Sequence, residues 1–151
     1  MKTYQLQRET LVRRDRREVF AFFADAGNLE ALTPPWLSFQ VLSEQPVDMR
    51  PGTRIDYRLK IRGIPVRWAS EVIVWEPPER FVDEQRRGPY RLWHHEHRFE
   101  ERPDGTLVVD HVRYAVPGGP LLERLVQRLA VGPDVERIFD YRQARLEQIF
   151  G

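Results

Sequence analysis

Apolar and polar residues alternate with a period of two through most of residues 3–116, and beyond Pro117 the spacing lengthens to that of a helix. Residues 3–12 read as an opening strand. Residues 15–25 then predict a helix with Asp15 as cap and Glu18 three positions later, a capping-box spacing. Val19, Phe22 and Phe23 would form its apolar stripe. A second short helix over 26–32 must end at Pro34–Pro35, because proline cannot continue a helix. Strands are predicted at 37–44, 54–62, 66–75, 80–87, 88–101 and 106–116, with turns at 63–65, 76–79 and 102–105. In the second of these, Ile55, Tyr57, Leu59 and Ile61 share one face; in the third, Trp68, Ser70, Val72 and Val74 do. The helical period returns at 121–131 and 134–150, with a break or kink expected at Gly132–Pro133. A sheet with one apolar face needs a cover, and only the final helix is long enough to supply it. The expected architecture is α+β: about seven curved antiparallel strands wrapped around a long C-terminal helix, with two short helices after the first strand. Such a sheet tends to leave a cavity against its helix.

Three of the four histidines fall on one predicted strand, and alternation sorts them. Trp93, His95, His97 and Phe99 share the face bracketed by aromatic rings and point inward, while His94 points to water. On the next strand Val108, Asp110, Val112, Tyr114 and Val116 point inward, and closure of the hairpin at Pro103–Gly105 sets Asp110 opposite His97. Asp83 and Gln85 come from the strand before. The expected interior holds a polar patch of Asp83, Gln85, His95, His97 and Asp110 within an aromatic frame of Trp68, Phe81, Trp93, Phe99 and Tyr114. Burying ionisable groups is costly unless they are paired, so this patch is either an internal hydrogen-bond network or the polar anchor of a ligand. His-x-His on a strand with a carboxylate also suits zinc, but no further His or Cys ligand strengthens that reading, and no metal or cofactor is expected.

Composition narrows the class further. With 151 residues, 41% hydrophobic and 31% charged, the chain suits a single soluble domain spanning 1–151. A net charge of +1, with acidic residues interleaved among the arginines, argues against nucleic acid as partner. No apolar run could span a bilayer, so stable membrane insertion is not expected, and the N-terminus lacks a secretory signal. The absence of cysteine removes disulfides and thiolate chemistry, and together these features favour the cytoplasm. No Gly-x-Ser-x-Gly or Gly-x-Gly-x-x-Gly motif is present. Trp36 and Phe39 read as core at a rigid Pro-Pro corner, with the rim of a cavity mouth as the alternative. Leu121, Leu122, Leu125 and Leu129 read as core, with a partner surface as the alternative.

The segments EVFAFFADAGNLEALTPPWLSF, EPPERFVDEQRRGPYRLWHHEHRFEE and GTLVVDHVRYAVPGGPL, followed by the closing helix, resemble the START/Bet v 1-like helix-grip (SRPBCC) proteins. The chain is most similar to their bacterial polyketide cyclase/dehydrase-like group, through Pro77-Pro78-x-x-Phe81, Gly88-Pro89-Tyr90 and Trp93-x-His95-x-His97-x-Phe99. The resemblance covers nearly the whole chain. It implies a cavity for a hydrophobic or amphipathic small molecule: members bind lipids, sterols, hormones or quinones, and a minority cyclise or dehydrate polyketides. It carries over no universal catalytic residues. The leading expectation is binding of such a molecule, with transport as an extension. One alternative is a cyclase- or dehydratase-like enzyme using His97 and Asp110 as an acid–base pair. The other is a module that docks a protein partner.

Overall fold

The computed structural model describes residues 2–151. Strand β1 (Tyr4–Val12) leads into helix α1 (Arg16–Ala24), a 3-10 turn at Ala26–Asn28, helix α2 (Leu29–Leu32) and a second 3-10 turn at Pro35–Leu37. Strands β2 (Gln40–Val41), β3 (Arg54–Ile61), β4 (Ile64–Glu76), β5 (Arg80–Arg87), β6 (Leu92–Arg102) and β7 (Gly105–Ala115) follow. The chain ends in α3 (Glu123–Val126), a π turn at Gln127–Val131 and α4 (Gly132–Phe150), one unbroken helical run. The seven strands form one antiparallel sheet in the order β1-β7-β6-β5-β4-β3-β2, as the alternation predicts. No helix among the described residues is long and apolar enough to cross a membrane.

The core follows from the two periods. Ile55, Tyr57 and Leu59 are buried on β3 while their neighbours are exposed. Val12, Phe20, Phe23, Phe81, Phe99 and Leu146 join β1, α1, the sheet and α4 in one cluster. Leu6, Val112, Tyr114, Val135 and Phe139 form a second beneath the start of α4. Asp15 caps α1 by accepting from the Arg17 backbone at 3.1 Å, but the capping box is not completed, because Glu18 turns toward Arg14 at 3.7 Å. Phe20 takes a core position expected of Phe22, which is only partly buried against the ring of Phe150.

Other departures have local causes. The strand expected at 37–44 shrinks to two residues because Pro35–Leu37 coils and Ser38 adopts a left-handed conformation, φ 47°. β4 starts at Ile64, since the β3–β4 turn is Arg62–Gly63, with φ 51° and 80°; two positive φ angles are what a two-residue type I′ hairpin requires. Register slips mark two bulges: at Ala69/Ser70 the extra residue is Arg86 on β5, and at Val72/Val74 it is Ile73 on β4. The second inverts the side-chain phase: Val74 leaves the core face and pairs with Val82, while Trp75 turns in against Phe20 and Phe81.

At the β6–β7 hairpin, a Cβ on Gly105 would lie 2.2 Å from the Val12 carbonyl oxygen. Gly105→Ala is therefore expected to lower stability by about 2 kcal/mol in urea melts. A loss within 0.5 kcal/mol, roughly the range of a neutral surface change, would show that β1 shifts freely.

The helix passes through Gly132–Pro133 without ending. The Gly132 N–H reaches back to the Gln127 carbonyl, and this widened π turn absorbs the irregularity. The leucines just before it are not core: Leu121, Leu122, Leu125 and Leu129 are 93%, 58%, 53% and 67% exposed. Helical spacing marks an apolar face but does not supply something to cover it.

Candidate functional site

Strands β5, β6 and β7 bring together the polar groups that the fold buries. His97 lies opposite Asp110 on β7 and Phe81 on β5, and His95 lies opposite Asp83. Hydrogen bonds run diagonally to this register. His95 Nε2 donates to Asp110 Oδ1 at 2.8 Å, and His97 Nε2 donates to Asp83 Oδ2 at 2.7 Å. An ionised carboxylate only accepts, so these contacts fix the proton of each imidazole on Nε2. Asp110 and His97 remain neighbours, with His97 Nδ1 3.7 Å from Asp110 Oδ1, but the hydrogen-bonded partner of His97 is Asp83.

Arg142 on α4 completes the cluster. Its Nε and Nη2 donate to the two oxygens of Asp110, each at 3.3 Å, and its Nη2 lies 3.5 Å from His97 Nδ1. Its guanidinium also sits 5.1 Å over the Phe23 ring. The two imidazoles stack with centroids 3.6 Å apart, and His97 stacks on Phe81 at 4.1 Å. Sequence reasoning passed over Arg142, although a signal was there: it takes a core position in the stripe Val135, Phe139, Arg142, Leu146.

Burial and the facing His95 ring push the His97 imidazole down to about 4, against the opposing pull of Asp83 and Asp110. Burial alone would raise the Asp110 carboxyl, but Arg142 and the His95 hydrogen bond outweigh it and hold it below the usual carboxylate range. Burial likewise works to raise Asp83, and the His97 hydrogen bond with the surrounding charges reverses that. At neutral pH the cluster therefore contains two carboxylates, one guanidinium and a neutral His97.

Beside the cluster lies a cavity of about 520 Å³ between the sheet and α4. Phe23, Leu32, Ile55, Leu59, Trp68 and Phe139 contribute to its apolar wall; Asp83, His95, His97 and Arg142 line it on the polar side, with Tyr57 and Ser70. Burial and the charge of Asp83 both push the Tyr57 hydroxyl up, so it remains a neutral donor. Trp36, which is 49% exposed, and Arg62, whose side chain is 60% exposed, mark the open end. There Arg62 holds Asp134 of α4 through two hydrogen bonds of 3.1 Å, and the Arg137 guanidinium covers the Trp36 ring at 4.8 Å. Trp36 thus belongs to the rim and not to the core, whereas Phe39 packs on Tyr57.

Among the residues expected at the ligand, Trp68, Phe81, Asp83, Trp93, His95 and His97 line this cavity. The other four do not. Gln85 braces the β5–β6 loop, donating to the Tyr90 carbonyl at 2.7 Å and accepting from its N–H at 3.2 Å. Asp110 lies behind His95, Phe99 packs into the core against Phe20 and Phe23, and the Tyr114 hydroxyl accepts from Gln127 at 2.7 Å. His94 and His111 lie on the outer face, bonded to Glu84 and Gln5. Asp83, His95 and His97 each offer a ligand atom within 4.8 Å of the others, so among the described residues they form a cluster that could hold a metal ion.

The fold recurs in solved structures. Protein CV1439 from Chromobacterium violaceum superimposes with a TM-score of 0.71 at 14% identity, over 99% of this chain and 98% of its own. TTHA0849 from Thermus thermophilus gives 0.65 at 21% identity, over 99% and 100%. Ara h 8.0201 gives 0.65 at 13%, over 97% and 99%. Identities this low establish a common fold, the helix-grip, and nothing finer. No curated protein matches the sequence. The family model described as polyketide cyclase / dehydrase and lipid transport matches residues 12–133, most of the chain, and the protein belongs to that family.

Proposed function

We propose that the protein is a cytoplasmic binding protein for a small hydrophobic or amphipathic molecule, held between the sheet and α4. The observation that carries this reading is the cavity of about 520 Å³, aromatic and aliphatic along its body with the Asp83–His95–His97–Arg142 cluster as its polar side. That volume falls in the range of ordinary small-molecule sites, which combine an apolar lining with a few oriented polar groups. The family's description names lipid transport beside polyketide cyclase / dehydrase, and its lipid-transport part supports the same reading.

The test is saturable binding of the neutral dye Nile red, compared between the wild-type protein and Ile138→Trp. Ile138 lines the cavity from α4, and the larger indole there takes up part of the space. Dye binding at one site is expected, with at least about a ten-fold loss of affinity in the variant, since the added indole obstructs the path of a ligand packed along α4. Equal binding by both proteins would place the dye elsewhere, on the exposed leucines for example, and would overturn the reading.

The enzymatic alternative rests on the imidazole–carboxylate pairs beside the cavity. His97 is paired with Asp83 here, so any acid–base role would belong to that pair. Its Nδ1 faces the Arg142 guanidinium, which ties up the lone pair a general base would use. Binding without turnover is the better-supported reading.

A further inference from the structure

The two carboxylates of the cluster are not equally partnered, and this bears on what the cavity binds. Asp110 has its charge matched by Arg142, which contacts both of its oxygens. Among the described residues no cation touches Asp83, although the charge of Arg142 reaches it through space. The Asp83 Oδ2 accepts from His97 Nε2 at 2.7 Å, and among the described residues no hydrogen bond reaches Oδ1. The side chain is 19% exposed, and Asp83 is among the residues lining the cavity. A carboxylate beside an apolar volume, with one oxygen unmet, favours a donor or a positive charge far more strongly than it would in water.

Resting on the binding function proposed above, we infer that the cavity selects ligands whose inner end is a hydrogen-bond donor, an amine or a hydroxyl, and rejects ligands ending in a carboxylate or other anion, with Asp83 as the discriminating residue. The arginines of the cavity do not reverse this preference. Arg62 is engaged by Asp134, and Arg137 lies on Trp36 at the open end. Arg142 is shared between Asp110 and the His97 ring, so an anion approaching it would stand across His97 from the Asp83 carboxylate, which no cation touches among the described residues. Tyr57 and Ser70, also lining the cavity, are neutral and can meet a second polar atom of a hydroxylated ligand.

Three probes with straight chains of ten carbons separate the ideas: decylamine, decanoate (its carboxyl carbon included in the ten) and decyl methyl ether (its methyl excluded), titrated by calorimetry at pH 7.5 below their micelle concentrations. Decylamine is expected to bind at least about ten-fold more tightly than decanoate, in keeping with the coupling of close, desolvated charge pairs. In Asp83→Asn this ratio should collapse toward one while the affinity for the ether is retained, which also shows that the variant is folded. If the ether binds but decanoate binds as well as decylamine, the inference fails and the cavity reading stands. A preference for the amine that survives in Asp83→Asn overturns the assignment to Asp83. If none of the three binds, the cavity reading fails and this inference with it.

Discussion

Replacing Arg142 with methionine is expected to lower the stability of the fold by about 3–5 kcal/mol, the cost typical of leaving a buried ion-pair partner unmatched. Asp110 is 4% exposed, and its charge is held by Arg142 and the His95 hydrogen bond. Methionine preserves most of the buried volume and the contact with Phe23, so the loss reports charge pairing more than packing. The companion variant Arg142→Met/Asp110→Asn removes both charges. It should recover a large part of the loss, because an amide beside His95 is far cheaper to bury than an orphaned carboxylate. Urea unfolding of the three proteins decides the matter. A single-variant loss below about 1 kcal/mol, the scale of an exposed ion pair, would mean that Asp110 reaches water or another cation.

Acidification is expected to destabilise the protein in two stages, the first set by His97. Its imidazole goes from 6.5, the ordinary value, to about 4 in the folded state, so the folded protein takes up this proton less readily than the unfolded chain. Stability from the neutral ring is therefore complete above pH 6.5 and falls as the pH drops from 6.5 toward 4, by about 3 kcal/mol at most. The second stage has the opposite kind of group and the same direction. Asp110 and Asp83 are held below the ordinary carboxylate value of 3.8, so their contribution is present above that value and disappears as the pH falls further. Urea midpoints measured between pH 7.5 and 4 test the first stage, with His97→Gln as the control. Glutamine can still donate to Asp83 and does not titrate, so the wild-type slope should exceed that of the variant by most of the 3 kcal/mol, roughly. Parallel curves would show that His97 is protonated without strain.

Much of the site was legible from alternation alone. Period-two patterning puts His95 and His97 on the buried face of β6 and leaves His94 outside, and that is where they lie. The hairpin at Pro103–Asp104 sets the register, so His97 faces Asp110 as expected. Face and register are local properties, determined by the pleat and the turn. Hydrogen-bond partners are not. Side chains lean along their strands, and the bonds run diagonally, from His95 to Asp110 and from His97 to Asp83. Gln85 illustrates the same limit: it sits on the inner face, but the Tyr90 backbone beside it claims both ends of its amide.

By itself, then, the sequence determined the element order, the antiparallel strands, the closing helix and the inward face of the histidine strand, because each follows from a repeat of two or of 3.6 residues acting over a short stretch. Only the tertiary structure decided where those repeats slip and what meets across the interior. The bulge at Val72/Val74 turned Trp75 inward, the leucines at 121–129 found no cover, and α4 carried Arg142 from 32 positions away to Asp110. The ion pairing of Asp110 with Arg142, and the lack of a cation touching Asp83 among the described residues, were decided there too, since the pairing of charges depends on distance in space, which no local pattern encodes.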